Sequence, residues 1–301
     1  EVINISYTGS RSIIHRVIQI DFSSISAFLT GFSTYPQPLR LRLRIFTIFF
    51  LYKQTHQAVR KGELSTIMKL VFDKADLVKS VGIAMKAVSG KTTMPILECI
   101  LIDASSNVIK FTSNDMELGI ETIVTGMILE RGIVALDAKI FSEIVRKLPD
   151  NQVTIETDEN LVTTITCEKA KFNIPGQSGE DFSYLPILET SDCVSISQFT
   201  LKELIRQTIF SIAANENNKL MTGELFEIKD NTLRVVSLDG HRIAIRKIEL
   251  KESYPDRKVV VPGKTLNEIS KILSGETEDQ IDIYFSDNHI MFKFDDTTVV
   301  S

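Results

Sequence analysis

The chain has no tryptophan, four histidines and three cysteines, and each scarcity removes a class of chemistry. Cys99, Cys167 and Cys193 are an odd, scattered set without C-x-x-C spacing. They read as reduced core residues of a cytoplasmic protein, not as a disulfide framework. His15, His56, His241 and His289 never fall at metal-ligand spacing, so neither a zinc site nor another cofactor is expected. Long apolar runs are missing too. The longest, residues 45–52, is too short to cross a bilayer and too far from the N-terminus for a secretory signal, so no membrane role is expected. Gly90-Lys91-Thr92 and Gly263-Lys264-Thr265 resemble the end of a phosphate-binding loop, but Met85 and Lys258 stand where its earlier glycine is needed. No nucleophile is tied by motif to the titratable groups of Asp239-Gly240-His241-Arg242. The reading is a protein without catalytic residues.

What the chain does have is a copy of itself. Lys139, Glu143, Ile144 and Leu148 of residues 136–148 return in order as Lys264, Glu268, Ile269 and Leu273 of residues 261–273. Ser113 and Asp115 of residues 111–120 return as Ser237 and Asp239 of residues 235–244. Two segments repeating at nearly one offset, about 125 residues, imply whole domains in tandem, each with its own core.

Residues 1–67 differ in character, with eight basic residues against three acidic ones. The chain totals of 34 basic and 39 acidic residues then leave 26 against 36 for the remainder, so the duplicated part is acidic. Met68 reads as the natural start and residues 1–67 as an extension from upstream sequence; a basic arm is the alternative.

Four amphipathic helices are expected, two per copy. The first follows Asp73 as N-cap, with Leu77, Val78, Val81, Ala84, Met85 and Val88 on one stripe and Lys79 and Lys86 opposite. The second follows Asp137, burying Ile140, Phe141, Ile144 and Leu148 and exposing Lys139 and Arg146. The third opens on a capping box, Thr200 to Glu203, with a Phe199 to Leu204 staple. It buries Leu201, Leu204, Ile205, Thr208 and Ile212 and turns Lys202 and Arg206 to solvent. The fourth buries Leu266, Ile269 and Leu273 and exposes Lys264 and Lys271. For one helix such lysines are an ordinary solvated face. Four times over in an acidic protein, they describe a basic surface suited to a phosphate backbone without sequence reading. Alternating runs such as residues 153–157, 161–166, 225–228, 233–236, 281–285 and 290–294 make antiparallel hairpins, giving an α+β fold with two helices packed on sheet in each copy. Residues 175–186 read as the linker between copies.

The start at Met68, the stretch Lys91 to Leu97, Thr112 to Asp115, Arg146 to Pro149, Thr222 to Phe226 and above all Ser237 to Arg242 resemble the bacterial sliding clamp, the beta subunit of DNA polymerase III. The resemblance spans nearly everything from Met68 to Ser301. It implies tandem clamp domains over residues 68–187 and 188–301, with a third domain absent. It also implies helices lining a ring, a homodimer in the full-length form, and a processivity factor that encircles double-stranded DNA. The implied partners are the polymerase III catalytic subunit, the clamp loader, and repair polymerases and ligase-type proteins, in the bacterial cytoplasm at the nucleoid. By the same resemblance, Lys79, Lys86, Lys91, Lys139, Arg146, Lys202, Arg206, Asn215, Lys219, Lys264 and Lys271 meet DNA. Asn218 stands where the family has arginine, with Lys219 beside it to supply the charge. Met221, Leu238, Asp239, Gly240, His241, Arg242 and Ile243 form a pocket for partner peptides, and Phe172 and Ile174 belong to the dimer interface. A two-domain clamp closing as a trimer and an interaction scaffold without a DNA role are the alternatives.

Overall fold

The computed structural model describes residues 67–301 apart from 91, 187–192, 215–218 and 287. Lys91, Asn215 and all of the extension but Ile67 therefore lie outside the described residues. The first copy runs β1 (Met68–Asp73), α1 (Lys74–Ala84), β2 (Cys99–Asp103), β3 (Ile109–Asn114), β4 (Gly119–Val124), β5 (Met127–Glu130), β6 (Ile133–Asp137), α2 (Ala138–Lys147), β7 (Gln152–Thr157), β8 (Val162–Cys167) and β9 (Ala170–Gln177). The second runs β10 (Cys193–Ser197), α3 (Gln198–Thr208), β11 (Gly223–Lys229), β12 (Thr232–Leu238), β13 (Ile243–Glu249), β14 (Arg257–Pro262), α4 (Gly263–Ile272), β15 (Gln280–Phe285), β16 (Ile290–Phe294) and β17 (Thr297–Val300). The α+β class and the duplication are as expected. α1 and α3 are both 11 residues long, α2 and α4 both 10, and a 3-10 turn follows α1 and α3 alike.

A pair of buried serines shows how closely the copies agree. Ser113 on β3 donates to the carbonyl of Ala84 at the end of α1, 2.5 Å away, and Ser237 on β12 donates to the carbonyl of Thr208 at the end of α3, 2.6 Å away. A helix ends with carbonyls that lack an intrahelical partner. Here a strand from the same copy satisfies one of them, which fixes the helix against the sheet and explains why serine recurs.

Helix boundaries depart from the sequence reading in several places. Asp73 occupies the N-cap of α1 without a side-chain capping bond, whereas Asp137 does cap α2, accepting from the Ile140 amide at 2.8 Å. Ile140 itself is 50% exposed, because in the first turn it points away from the sheet; Val145 occupies the core instead. α1 ends at Ala84, so Val88 follows the helix. α3 begins three residues earlier than the Thr200 box. Its cap is Ser197, which accepts from the Thr200 amide at 3.1 Å, and Glu203 turns to Arg206. Phe199 then falls inside the first turn and is exposed, so it forms no staple, while Ile212 lies beyond the helix, half-buried. At Gly263 a side chain would stand 2.4 Å from Ile212 Cδ1 and 2.8 Å from the Thr222 carbonyl, which is why α4 opens on glycine.

The strands form a sheet of 13, ordered β10-β15-β16-β17-β4-β3-β2-β6-β9-β8-β7-β1-β5, and a sheet of four, β13-β12-β11-β14. The larger sheet crosses from one copy to the other at β17 and β4, antiparallel with Ile120 opposite Val299. Thr122 and Thr297 meet across this pair with hydroxyls 3.1 Å apart, and the Ile123 amide donates to the Asp296 carbonyl at 2.8 Å. The first core centres on Phe72, Phe111 and Phe141, packed edge to face with centroids 6.0 and 6.1 Å apart. The second, around Phe226 and Phe292, takes in Ala87, Leu118 and Ile120 from the first copy. The expected linker is partly structure: Pro175 to Gln177 complete β9.

One buried group opposes this packing. Glu224 on β11 is fully buried where the first copy has Ile100, equally buried, and neither carboxylate oxygen has a hydrogen-bond partner. The Thr208 hydroxyl is its nearest compensation, yet that hydroxyl donates to the Leu204 carbonyl at 2.7 Å. Burial pushes the Glu224 carboxyl up from 4.5 to about 7. The folded chain therefore keeps a proton that the unfolded chain releases, and stability falls as pH rises from 4.5 to about 7 and is level above. The shift corresponds to roughly 3 kcal/mol at most. Glu224→Leu is expected to raise denaturant stability at pH 8 by up to about that amount and clearly less at pH 5; equal gains at both pH values contradict this.

Candidate functional site

The helix cations fall into two groups. Lys79 on α1 and Lys139 and Arg146 on α2 are exposed, and among the described residues none makes an ion pair; Lys86, in the 3-10 turn after α1, is half-buried. In the second copy each helix cation expected from the sequence has a partner. Lys202 is half-buried and donates to the Leu273 carbonyl at the end of α4, 3.0 Å away. Arg206 forms a fork with Glu203 at 2.8 and 2.7 Å, and Lys271 pairs with Glu268 at 2.6 Å. Lys264 reaches into the first copy and pairs with Asp115, whose side chain is only 3% exposed. Lys202 was expected to face solvent, but the α4 terminus draws its ammonium inward, since helix C-terminal carbonyls attract a cation. Lys219 lies exposed in a 3-10 turn before β11.

Asp115 and Asp239 hold matching turns. Asp115 Oδ1 accepts from the Glu117 and Leu118 amides at 3.1 and 2.8 Å, and Asp239 Oδ1 from the His241 and Arg242 amides, both at 3.0 Å. The turns differ in what the other oxygen does: Asp115 Oδ2 binds Lys264, while Asp239 Oδ2 accepts from Arg242 Nε at 2.8 Å. The amide of His241 is the leading cause that holds the Asp239 carboxyl below its usual 3.8, with Arg242 adding to it. Gly240, at φ +88, allows the chain to reverse here.

This turn presents the expected pocket residues. Leu238, Gly240, His241, Arg242 and Ile243 are exposed and Asp239 is half-buried, while Met221 is half-buried in the 3-10 turn that precedes β11. The sequence reading missed Phe210, which is 57% exposed beyond the end of α3 and lies 5.9 Å under the Arg242 guanidinium. It also missed Ile245, exposed on β13. Neither carries a local motif, since both gain meaning only from how β13 runs beside α3. The two interface candidates separate: Phe172 is 40% exposed on β9, but Ile174 is 1% exposed and sits in the first core, where the end of β9 passes toward β6. Ile174 thus supports the strand from beneath and offers no surface to a partner.

The fold defines a class, tandem α+β repeats that share a continuous antiparallel sheet. Residues 68–186 match the family described as "DNA polymerase III beta subunit, N-terminal domain", and residues 195–301 match "DNA polymerase III beta subunit, central domain". The chain belongs to the DNA polymerase III beta-subunit family. A beta sliding clamp of Halalkalibacterium halodurans is 36% identical over 237 residues, 75% of this chain and 62% of that protein. A crystal structure assigned to the beta subunit of Eubacterium rectale is 68% identical with a TM-score of 0.77, over 78% of this chain and 64% of that one. The DNA polymerase sliding clamp of Bacillus subtilis is 36% identical with a TM-score of 0.75, over the same shares. The chain thus spans less than two thirds of the length of these relatives.

A carbon-13 NMR titration is expected to find the Asp239 carboxyl below 3.8. Because the amides lead, Arg242→Ala moves it upward but leaves it below that value. With a depressed folded value, the turn's contribution persists at neutral pH and is lost only as pH falls through that value. An unshifted Asp239 overturns this account.

Proposed function

We propose that this chain provides two of the repeated units of a bacterial DNA sliding clamp, a protein that encircles duplex DNA and tethers polymerase to it. It performs no reaction itself. The observation that carries this reading, beside family membership, is the junction of β17 with β4. β9 is the counterpart of β17 and β13 the counterpart of β4, and in the described residues each keeps an unpaired edge: residues 171–174 of β9 bond only β8, and β13 bonds only β12. A chain of units that already joins edge to edge once has the same two edges free for further units. Such joining is heterologous, and it forms a ring when the rotation closes. Phe172 on the β9 edge fits this role.

Helix cations facing duplex DNA bind phosphates through charge and counterion release, which holds the protein on DNA while leaving it indifferent to sequence. Retention in the assembled ring is topological, so affinity need not be high. The Asp239 turn, with Leu238, His241, Arg242 and Ile243, gives an apolar anchor with a polar rim, suited to short motifs of a polymerase and, by the same surface, of clamp-loading, repair and ligase-type proteins. Lys91, Asn215 and Lys219 belong to this proposal as further DNA contacts.

In fluorescence anisotropy, the chain is expected to bind two duplexes of unrelated sequence equally at low salt, with log affinity falling linearly against log salt. Strong sequence preference, or no binding at low salt, overturns the clamp reading. The assembled ring is expected to remain on nicked circular DNA and to slide from linear DNA. Ile243→Asp is expected to weaken capture of a labelled polymerase-tail peptide about tenfold or more while leaving duplex binding intact.

A further inference from the structure

The duplication makes Lys139 and Lys264 equivalent in sequence, but the structure gives them different partners. Lys139 is exposed with no ion pair among the described residues, and Lys264 crosses to Asp115 of the other copy. Asp115 is nearly buried, its Oδ1 already holds two turn amides, and its Oδ2 takes the ammonium. A carboxylate so enclosed retains its cation more firmly than an exposed one, because less water competes for it. Lys202 is likewise occupied, by the end of α4, and Arg206 and Lys271 by glutamates one helical turn away on their own helices.

We propose that the two copies share the helix design but divide its work. Phosphate contact falls to Lys79, Lys139 and Arg146 of the first copy, and Lys264 is a positioning residue that clasps the copies at their junction. This assignment rests on the clamp reading and refines it. A cation already held by a carboxylate must give up that partner before it can neutralise a phosphate, so it is the less favoured contact. The carboxylates nearest the first-copy cations do not hold them. Glu143 stands one turn from Arg146, where its counterpart Glu268 holds Lys271, yet it makes no ion pair among the described residues. Lys79 shares a cleft of about 100 Å³ with Asp76, Asp295 and Asp296 and pairs with none of them; Asp295 takes the Gln198 amide at 3.2 Å. The strongest constraint is at Lys264, because Asp115 is 3% exposed, whereas Glu203 and Glu268 are 31% and 21% exposed.

The test uses the chain itself, duplex DNA and a salt series. Replacing Lys79, Lys139 and Arg146 together by alanine is expected to reduce the slope of log affinity against log salt by about two to three. Replacing Arg206, Lys264 and Lys271 together is expected to change it by less than about one. Equal losses, or a larger loss from the second set, overturn the division of work while leaving the clamp reading standing; no binding by the unaltered chain overturns both. A second readout needs no DNA. Lys264→Met is expected to lower the melting temperature, and adding Asp115→Asn to it to cause little further drop, whereas Lys139→Met leaves melting unchanged. Additive losses from Lys264→Met and Asp115→Asn, or an equal loss from Lys139→Met, remove Lys264 from the junction.

Discussion

A β-strand edge that is left unpaired attracts another, and the architecture of this chain follows from how one such edge is used. β17 closes against β4, and through that pairing two sheets of different copies become one. The rest depends on it. Ala87, Leu118 and Ile120 can lie in the second core only because β4 carries its neighbourhood across the junction. Lys264 can meet Asp115 only because α4 is brought beside the turn that precedes β4. Edge strands exposed without control invite aggregation, and here the same property joins the two copies of the chain.

Much of this fold is legible in the amino-acid sequence. The copies are visible because the same buried serine and the same turn-forming aspartate recur at nearly one spacing, and both residues perform local tasks that tolerate few substitutes. Helix faces are legible where periodicity is strong, as with Leu266, Ile269 and Leu273. Helix starts are less so. Ser197 and Thr200 are both competent caps, and local pattern alone does not rank them; the strand β10 that ends at Ser197 decides the matter.

What escapes the sequence is anything set by a partner distant along the chain. The first turn of α2 places Ile140 outward, although its neighbours make it look like core. Phe172 and Ile174 share a strand face by alternation, yet one lies over the core and the other beyond its rim. The lysines show the limit most plainly. Spacing identifies a basic face, but whether a given ammonium is free or committed depends on carboxylates and carbonyls about 70 to 150 positions away, as with Lys202 and Lys264.

The register of β17 on β4 also has a geometric consequence. Ile120 and Val299 face each other and both point into the second core. Because side chains alternate along a strand, sliding β17 by one residue would turn its whole inward row to the opposite face. The junction is therefore held against a one-residue slip, and movement of one copy relative to the other falls to flexing within a single register.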